Sequence, residues 1–283
     1  MSDPAFDDPR VTALIELALD EDVGAGDRTS EATVPGGARA RGRLLAKERL
    51  VVCGLPIVER VFHRLGGMTI TFHATDGDAV DTGTVLGILE GSARTLLAGE
   101  RLVLNFLQHL SGVATLTAAC VARVRGTRLR IRDTRKTVPG LRVLEKYAVR
   151  MGGGVNHRMG LDDALLVKDN HLALGGGDFD AAVRASRKRF PTLRLEVEAR
   201  TMPELERALT AKPDVILLDN MTVEELRQAV TLVAGRVPLE ASGGITLETL
   251  AAVAATGVDY VAMGELTHSA RAVDISLKLE PLA

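Results

Sequence analysis

The sequence predicts an α/β protein in two parts, a small antiparallel sheet domain carrying helices on one face and then an α/β barrel. Three observations carry that prediction. Short β-prone runs alternate with Gly- and Asp-containing turns over residues 38–89. After residue 125, six apolar runs end in polar or charged residues, with helical segments between them and ends about 20–30 residues apart, the spacing of βα units. Those runs are apolar almost throughout, as strands buried on both faces must be, and the chemistry gathers at their C-terminal ends. A doubly wound open sheet is the alternative, but no Gly-x-Gly-x-x-Gly opens a helix and no Walker A sequence is present.

In order along the chain, residues 11–19 have helical apolar spacing, closed by Asp20, Glu21, Asp22 and Gly24. Asp27-Arg28-Thr29-Ser30 reads as an ordinary turn. Runs at 43–46, 50–53, 68–72 and 85–89 make the first sheet, interrupted by one helix over 56–64, and Asp76-Gly77-Asp78 with Gly83 marks tight turns. Leu96, Leu102, Val103, Phe106, Leu107 and Leu110 suit a long, mostly buried helix over 94–110; Gly112 ends it, and a second helix takes 113–124. Arg101, Asn105 and His109 lie four apart on one polar stripe of the first helix, either a solvated face or an edge that reaches a site or a partner subunit. Barrel strands are expected over 129–133, 164–169, 193–198, 215–219, 237–242 and 258–264, with residues 152–158 supplying one more irregular strand. Thr201 with Glu204 and Thr222 with Glu225 fit capping boxes, and Asp178 or Asp180 is an N-cap. The chain from Asp274 onward is expected to pack back on the first domain.

Composition narrows the function classes. At 283 residues the chain can bury a substantial core, and 46% hydrophobic with 25% charged residues excludes general disorder. Aromatic residues are only 3% and Trp is absent, which argues against a base-stacking nucleic-acid platform. A net charge of −2 implies neither a nucleic-acid coat nor a membrane surface. No apolar run approaches the ~20 residues of a membrane span, and the acidic N-terminus is neither a signal nor a transit peptide. Cys53 and Cys120, both in apolar contexts, read as buried thiols of a reducing compartment, so a cytoplasmic location is expected.

The charge is unevenly spread. From Arg123 to Arg158 eleven cations stand against two acids, Asp133 and Glu145, and so local a cationic field attracts something small and multiply anionic. A solvated helix face accounts for Arg123, Arg125, Arg128, Arg142 and Arg150. Arg135, Lys136, His157, Arg158, Lys168 and His171 instead sit beside Gly and Pro or at the ends of apolar runs, where side chains converge. Arg forks and Lys point charges suit carboxylates and phosphates. Glu198 and Asp219 end consecutive strands, so their carboxylates should be neighbours that suit Mg²⁺ or a pair of ribose hydroxyls, or else cap helices and pair with cations. Glu196 and Glu240 point to the same side by strand alternation and are the weaker candidates. Ser242-Gly243-Gly244, between a strand and a helix expected from Thr246, forms an anion nest. Gly264 with Thr267, His268 and Ser269 ends the next strand, and the last two strands of α/β barrels often share one phosphate site.

Seven words occur in one order: Asp-Thr-Arg-Lys-Thr-x-Pro-Gly from Asp133, Asn156-His157-Arg158, Lys168-Asp169-Asn170-His171, Glu196-Val197-Glu198, Leu217-Leu218-Asp219-Asn220, Glu240-Ala241-Ser242-Gly243-Gly244-Ile245, and Gly264-x-Leu-Thr-His-Ser. That order resembles the quinolinate phosphoribosyltransferase family (nicotinate-nucleotide pyrophosphorylase, carboxylating; a type II phosphoribosyltransferase family), over nearly the whole chain. The resemblance implies an N-terminal open α/β sandwich domain over 1–112 and an incomplete, seven-stranded α/β barrel over 113–273. It implies conversion of quinolinate and phosphoribosyl pyrophosphate to nicotinate mononucleotide, pyrophosphate and CO₂ in de novo NAD biosynthesis, with Mg²⁺. Quinolinate is implied to meet Arg101, Arg135, Lys136, His157, Arg158 and Lys168, with Arg101 reaching across a homodimer. Phosphoribosyl pyrophosphate is implied to meet Lys136, Lys168, His171, Glu198, Asp219, Ser242, Gly243, Gly244, Gly264 and His268. Glu198 and Asp219 would hold Mg²⁺ directly or through water, and Lys136, Lys168, Glu198 and Asp219 are the implied catalytic groups. Dimer versus hexamer, and the roles of His109 and His171, stay open. Three other readings stand beside this one: a related phosphoribosyltransferase with another acceptor, a Schiff-base aldolase at Lys168, and a non-catalytic phosphate-binding barrel.

Overall fold

A computed structural model describes residues 3–282. After a 3-10 turn at Pro4–Asp7 the chain runs α1 (Pro9–Asp22), α2 (Arg28–Thr33), β1 (Arg39–Ala46), β2 (Leu50–Val51), α3 (Leu55–Arg64), β3 (Thr69–Phe72), β4 (Ala79–Val80), β5 (Val85–Ser92) and α4 (Ala93–Arg123). It continues β6 (Arg130–Arg132), α5 (Arg142–Met151), β7 (Leu165–Val167), α6 (Asp169–Leu174), α7 (Phe179–Arg189), β8 (Leu195–Ala199), α8 (Met202–Thr210), β9 (Val215–Asp219) and α9 (Val223–Val233). It closes with β10 (Leu239–Ser242), α10 (Leu250–Ala254), β11 (Tyr260–Ala262), α11 (Glu265–His268) and β12 (Ile275–Leu282). These elements form two compact units. The first takes the chain as far as Ala118, then Thr137–Gly153 and the end from Leu266; the second holds Ala119–Lys136 and Gly154–Glu265.

The first unit is built on an antiparallel sheet in the order β12-β1-β5-β3, with β2 and β4 paired separately. Alternate residues of β1 are buried, Ala40, Gly42, Leu44 and Ala46, as an antiparallel strand with one packed face requires. The last strand, β12, lies along β1 from Arg39↔Leu282 to Ala46↔Ile275. Asp27 and its followers are not a plain turn. The Asp27 carboxylate accepts the N–H of Ser30 at 3.1 Å and caps α2, so a short polar run becomes a helix start.

One helix replaces two over residues 93–123. Gly112 does not end it, because α4 runs through unbroken for 31 residues. The glycine serves a close approach instead: a Cβ there would lie 2.1 Å from the carbonyl oxygen of Arg271. Leu96, Leu107, Leu110 and Val113 are fully buried, so the apolar pattern marks the packed face of one continuous helix without the expected interruption. By length and composition α4 alone among the described helices suffices to cross a membrane, but 61% of its most apolar stretch is buried inside the protein.

The second unit carries a six-stranded parallel sheet in the order β6-β11-β10-β9-β8-β7, with a helix after most strands, an incomplete α/β barrel. Val215 to Leu218 are at most 4% exposed, the double burial that makes a parallel strand apolar throughout. The seventh strand shrinks to one bridge, Val155 against Arg132. Val155 donates its N–H to Ile131 at 2.8 Å, but glycines precede it, and the N–H of His157 after it turns to the Asp133 side chain, so the ladder cannot extend. Thr222 and Glu225 make the expected capping box on α9, and Asp178 caps α7. Thr201 caps α8, but Glu204 reaches the N–H of Arg200 rather than that of Thr201, so no box forms there.

Candidate active site

Strand ends of the second unit bring the predicted acids and cations together. At the end of β7, Lys168 Nζ lies 2.7 Å from Glu198 Oε2 on β8. The Glu198 side chain is only 6% exposed while Lys168 is 41% exposed, so the lysine reaches in from solvent to neutralise a nearly buried carboxylate. The cation of Lys168 is therefore paired with an acid from the neighbouring strand end. The backbone N–H of Lys168 donates to His171 Nδ1 at 3.1 Å, which ties one ring nitrogen of His171 to the start of α6. Asp219 ends β9 and accepts the side-chain N–H of Asn220 at 2.8 Å. Arg200, which no sequence signal singles out, joins this edge. Its Nη1 is 2.8 Å from Asp169, and its Nε is 3.9 Å from Asp219. Two carboxylates thus stand at neighbouring strand ends, each beside one cation.

The cationic half rests on Asp133. This acid is fully buried, and it accepts the N–H of His157 at 2.8 Å on one oxygen and the side-chain amide of Asn156 on the other. One of the two acids in the basic stretch is therefore a holder of the Asn156-His157-Arg158 turn. Arg158 donates from Nη1 to the Ala164 carbonyl at 2.8 Å. Burial works against its charge, the cation of Arg135 beside it adds to that, and Glu196 and Asp163 oppose both. A guanidinium disfavoured by the charge of a second one is relieved by an anion that meets both. Lys136 is exposed next to them, its N–H on the Thr134 hydroxyl at 2.9 Å. Not every cation of the stretch faces outward: Arg132 and Lys146 are buried.

Glu196 and Glu240 are the weaker candidates by sequence, and the Glu196 side chain, 7% exposed, is about as buried as that of Glu198 at 6%. As whole residues Glu196 and Glu240 are 5% and 0% exposed and form a buried ionic group with Arg132 and His157. His157 Nε2 is 2.9 Å from Glu196 Oε2 and 3.6 Å from Glu240 Oε1, while Arg132 pairs with the other oxygen of Glu240. Burial, with the negative charge of Glu196 added, pushes the Glu240 carboxyl up to about 7 against the pull of Arg132 and His157.

The small-residue loop after β10 is shaped by Asn220. Gly243 has φ of +97°, and a Cβ there would fall 2.2 Å from the Asn220 amide oxygen, so only glycine fits. The Asn220 N–H donates to the Ser242 carbonyl at 2.8 Å, locking the loops after β9 and β10 together. The helix expected from Thr246 begins only at Leu250, because a turn over Thr246 to Thr249 comes first. Any anion held by Ser242-Gly243-Gly244 is thus met by loop N–H groups and not by a helix end. Gly264 follows β11, and His268 closes α11 with Nδ1 at 2.6 Å from the Ser269 hydroxyl.

In the first unit Arg101 and Asn105 are exposed on α4, whereas His109 turns inward. Its Nε2 is 2.8 Å from Glu145, a fully buried carboxylate that also accepts the N–H of Val138 at 3.1 Å. The polar stripe therefore divides into an outward arginine and a histidine paired with a buried carboxylate.

Comparison with known proteins covers both parts of the chain. The family model for the quinolinate phosphoribosyl transferase C-terminal domain matches residues 113–278, and the model for the N-terminal domain matches residues 27–111. A nicotinate-nucleotide pyrophosphorylase (carboxylating) of Mycobacterium leprae is 46% identical, aligned over 99% of this chain and 100% of its own. A probable enzyme of the same name from Bacillus subtilis is 43% identical over 91% of this chain and 89% of its own. The crystal structure of NadC from Streptococcus pyogenes superposes with a TM-score of 0.93 at 41% identity, covering 100% of this chain and 99% of that one.

Proposed function

Because the chain belongs to the quinolinate phosphoribosyltransferase family, we propose how its own residues divide that family's reaction between them. The enzyme joins quinolinate to phosphoribosyl pyrophosphate, giving nicotinate mononucleotide, pyrophosphate and CO₂ for NAD biosynthesis. One observation carries the division: Arg158, anchored by Nη1 on the Ala164 carbonyl, has its cation disfavoured by partial burial and by the like charge of Arg135. Such a pair suits a dicarboxylate, and quinolinate carries two adjacent carboxylates for two guanidinium forks. Exposed Lys136 and half-buried Lys168 are the cations assigned to draw charge from departing pyrophosphate. His157 and His171 each spend Nδ1 on a backbone N–H, which points to positioning roles. Loop N–H groups of Ser242, Gly243, Gly244 and Gly264 take the 5′-phosphate.

Glu198 and Asp219 suit Mg²⁺. Both present hard carboxylate oxygens at strand ends, and the contacts described above engage only one oxygen of each. When bound, Mg²⁺ would supply positive charge to the pyrophosphate oxygens. The chain's own groups do the rest: the arginines align the pyridine nitrogen, and the cations stabilise the leaving group as the ribosyl carbon becomes electron-poor. No side-chain nucleophile is required, which agrees with Lys168 being ion-paired to Glu198. Arg101, exposed on α4, is assigned to the neighbouring site of a homodimer, and the two buried free thiols support a cytoplasmic setting.

The test is nucleotide formation from phosphoribosyl pyrophosphate with quinolinate or nicotinate as acceptor, with and without Mg²⁺. Turnover with quinolinate alone, lost on chelation and in Arg135→Ala, is the expected result. Chelation that leaves turnover intact would remove the metal role of Glu198 and Asp219.

A further inference from the structure

Behind the cationic edge of the second unit lies a buried ionic group that no step of the reaction uses directly. Arg132 pairs with Glu240 and lies 4.6 Å over the Tyr260 ring; Glu240 and Glu196 both face the imidazole of His157. Ligand atoms from His157, Glu196 and Glu240 lie within 4.8 Å of one another, the spacing of a metal site. The hydrogen bonds speak against a metal. The backbone N–H of Arg158 donates to His157 Nδ1 at 2.7 Å, so Nδ1 is an acceptor and the ring proton sits on Nε2, facing the carboxylates. A metal at Nε2 would have to displace that proton and share the pocket with a guanidinium.

We propose that Glu240, acting with Glu196 and Arg132, is a positioning residue for quinolinate binding. It holds His157 in one ring orientation with the proton on Nε2, and His157 in turn fixes the backbone of Arg158 beside Arg135. This rests on the assignment of Arg135 and Arg158 to the substrate carboxylates. The turn is tethered from two sides. Asp133 takes the N–H of His157 and the amide of Asn156, while Glu196 takes the imidazole Nε2–H at 2.9 Å. The buried acids also supply the countercharge that the arginine pair needs, since Glu196 favours the Arg158 cation. Glu240 is fully buried with one oxygen on Arg132, so it acts through its neighbours. One oxygen each of Glu196 and Glu240, and Arg132 Nε, lack a hydrogen-bond partner among the described residues. Such a group is retained for orientation, because a fully apolar replacement would be at least as stable.

The experiment uses the full chain with Glu240→Gln, which keeps volume and removes charge. The double variant E240Q/R132M removes both partners of the ion pair, so that an unpaired buried cation does not decide the outcome. Both variants are expected to raise KM for quinolinate by about tenfold or more, with kcat and KM for phosphoribosyl pyrophosphate within about twofold. In histidine-labelled protein, ¹⁵N resonances assigned through His157→Ala should show the Nε2–H tautomer in the wild type and a mixture in the variants. A folded variant with unchanged tautomer and unchanged quinolinate KM overturns the proposal. So does equilibrium dialysis with Zn²⁺ or Mn²⁺ alone that finds a tight site lost in E240Q. Arg158→Ala, run in parallel, separates the two levels. If it too leaves quinolinate KM unchanged, the substrate assignment is at fault; if only the Glu240 variants do, the positioning role is.

Discussion

Gly243→Ala tests the phosphate end of the site most sharply. The added methyl would sit 2.2 Å from the Asn220 amide oxygen and 2.6 Å from its carbon, so that side chain must withdraw by roughly 1 Å to reach ordinary contact. Asn220 cannot withdraw freely, because its amide donates to Asp219 at 2.8 Å and its N–H holds the Ser242 carbonyl. An L-residue at φ of +97° adds strain of roughly 1–2 kcal/mol, and overpacking adds roughly 1–3 kcal/mol. Displacing Asp219 by such an amount should lower kcat/KM for phosphoribosyl pyrophosphate by about 100-fold while leaving quinolinate affinity nearly intact. Gly244→Ala is the control: φ is +60° there, and nothing lies within 4 Å of its Cβ, so it carries strain without the clash. Steady-state kinetics on both substrates, with thermal melts, give the comparison. If Gly243→Ala lost no more activity than Gly244→Ala, the interlock between Asn220 and the glycine loop would not be what shapes this edge.

Other expectations follow from the same geometry. Arg158→Ala should weaken quinolinate binding by about 10- to 100-fold, the worth of a charge-assisted pair, and Arg158→Lys should recover only part of it because the fork is lost; isothermal titration reads both. Gly112→Ala should destabilise the protein although alanine is the better helix former, because the 2.1 Å approach to the Arg271 carbonyl outweighs a propensity gain of about 1 kcal/mol; a higher melting temperature would contradict it. Glu48, held by Arg271 and by the N–H of Asp274, has its carboxyl lowered from 4.5 to about 2. A depressed acid stabilises fully above its unfolded value and loses that stability as pH falls through the folded one, so the difference in stability between wild type and Glu48→Gln should shrink between pH 4.5 and about 2. A difference that is flat over that window would count against the pairing.

The sequence by itself determined the two-part α/β architecture and the strand ends on which the candidate groups stand. Periodicity and burial are local properties: Val215 to Leu218 had to be a doubly buried strand wherever they lay, and Thr222 with Glu225 had to start a helix. Glu198, Asp219 and Lys168 were legible because strand ends gather on one edge of a parallel sheet. What the sequence could not decide were matters of distance between remote segments. Gly112 looked like a helix stop, and only the crossing of Arg271 shows that it is a contact point inside a continuous helix. Strand alternation put Glu196 and Glu240 on the side of Glu198 and Ser242, but it gives the side of a sheet and not the partners that a side chain meets there. The pairing of Glu240 with Arg132, 108 residues apart in the chain, carries no sequence signal of its own. Arg200 stayed hidden for the same reason, since its partners Asp169 and Asp219 come from neighbouring strand ends. Side-chain chemistry is written residue by residue, but which charges neutralise one another is settled only when the sheet brings its edges together.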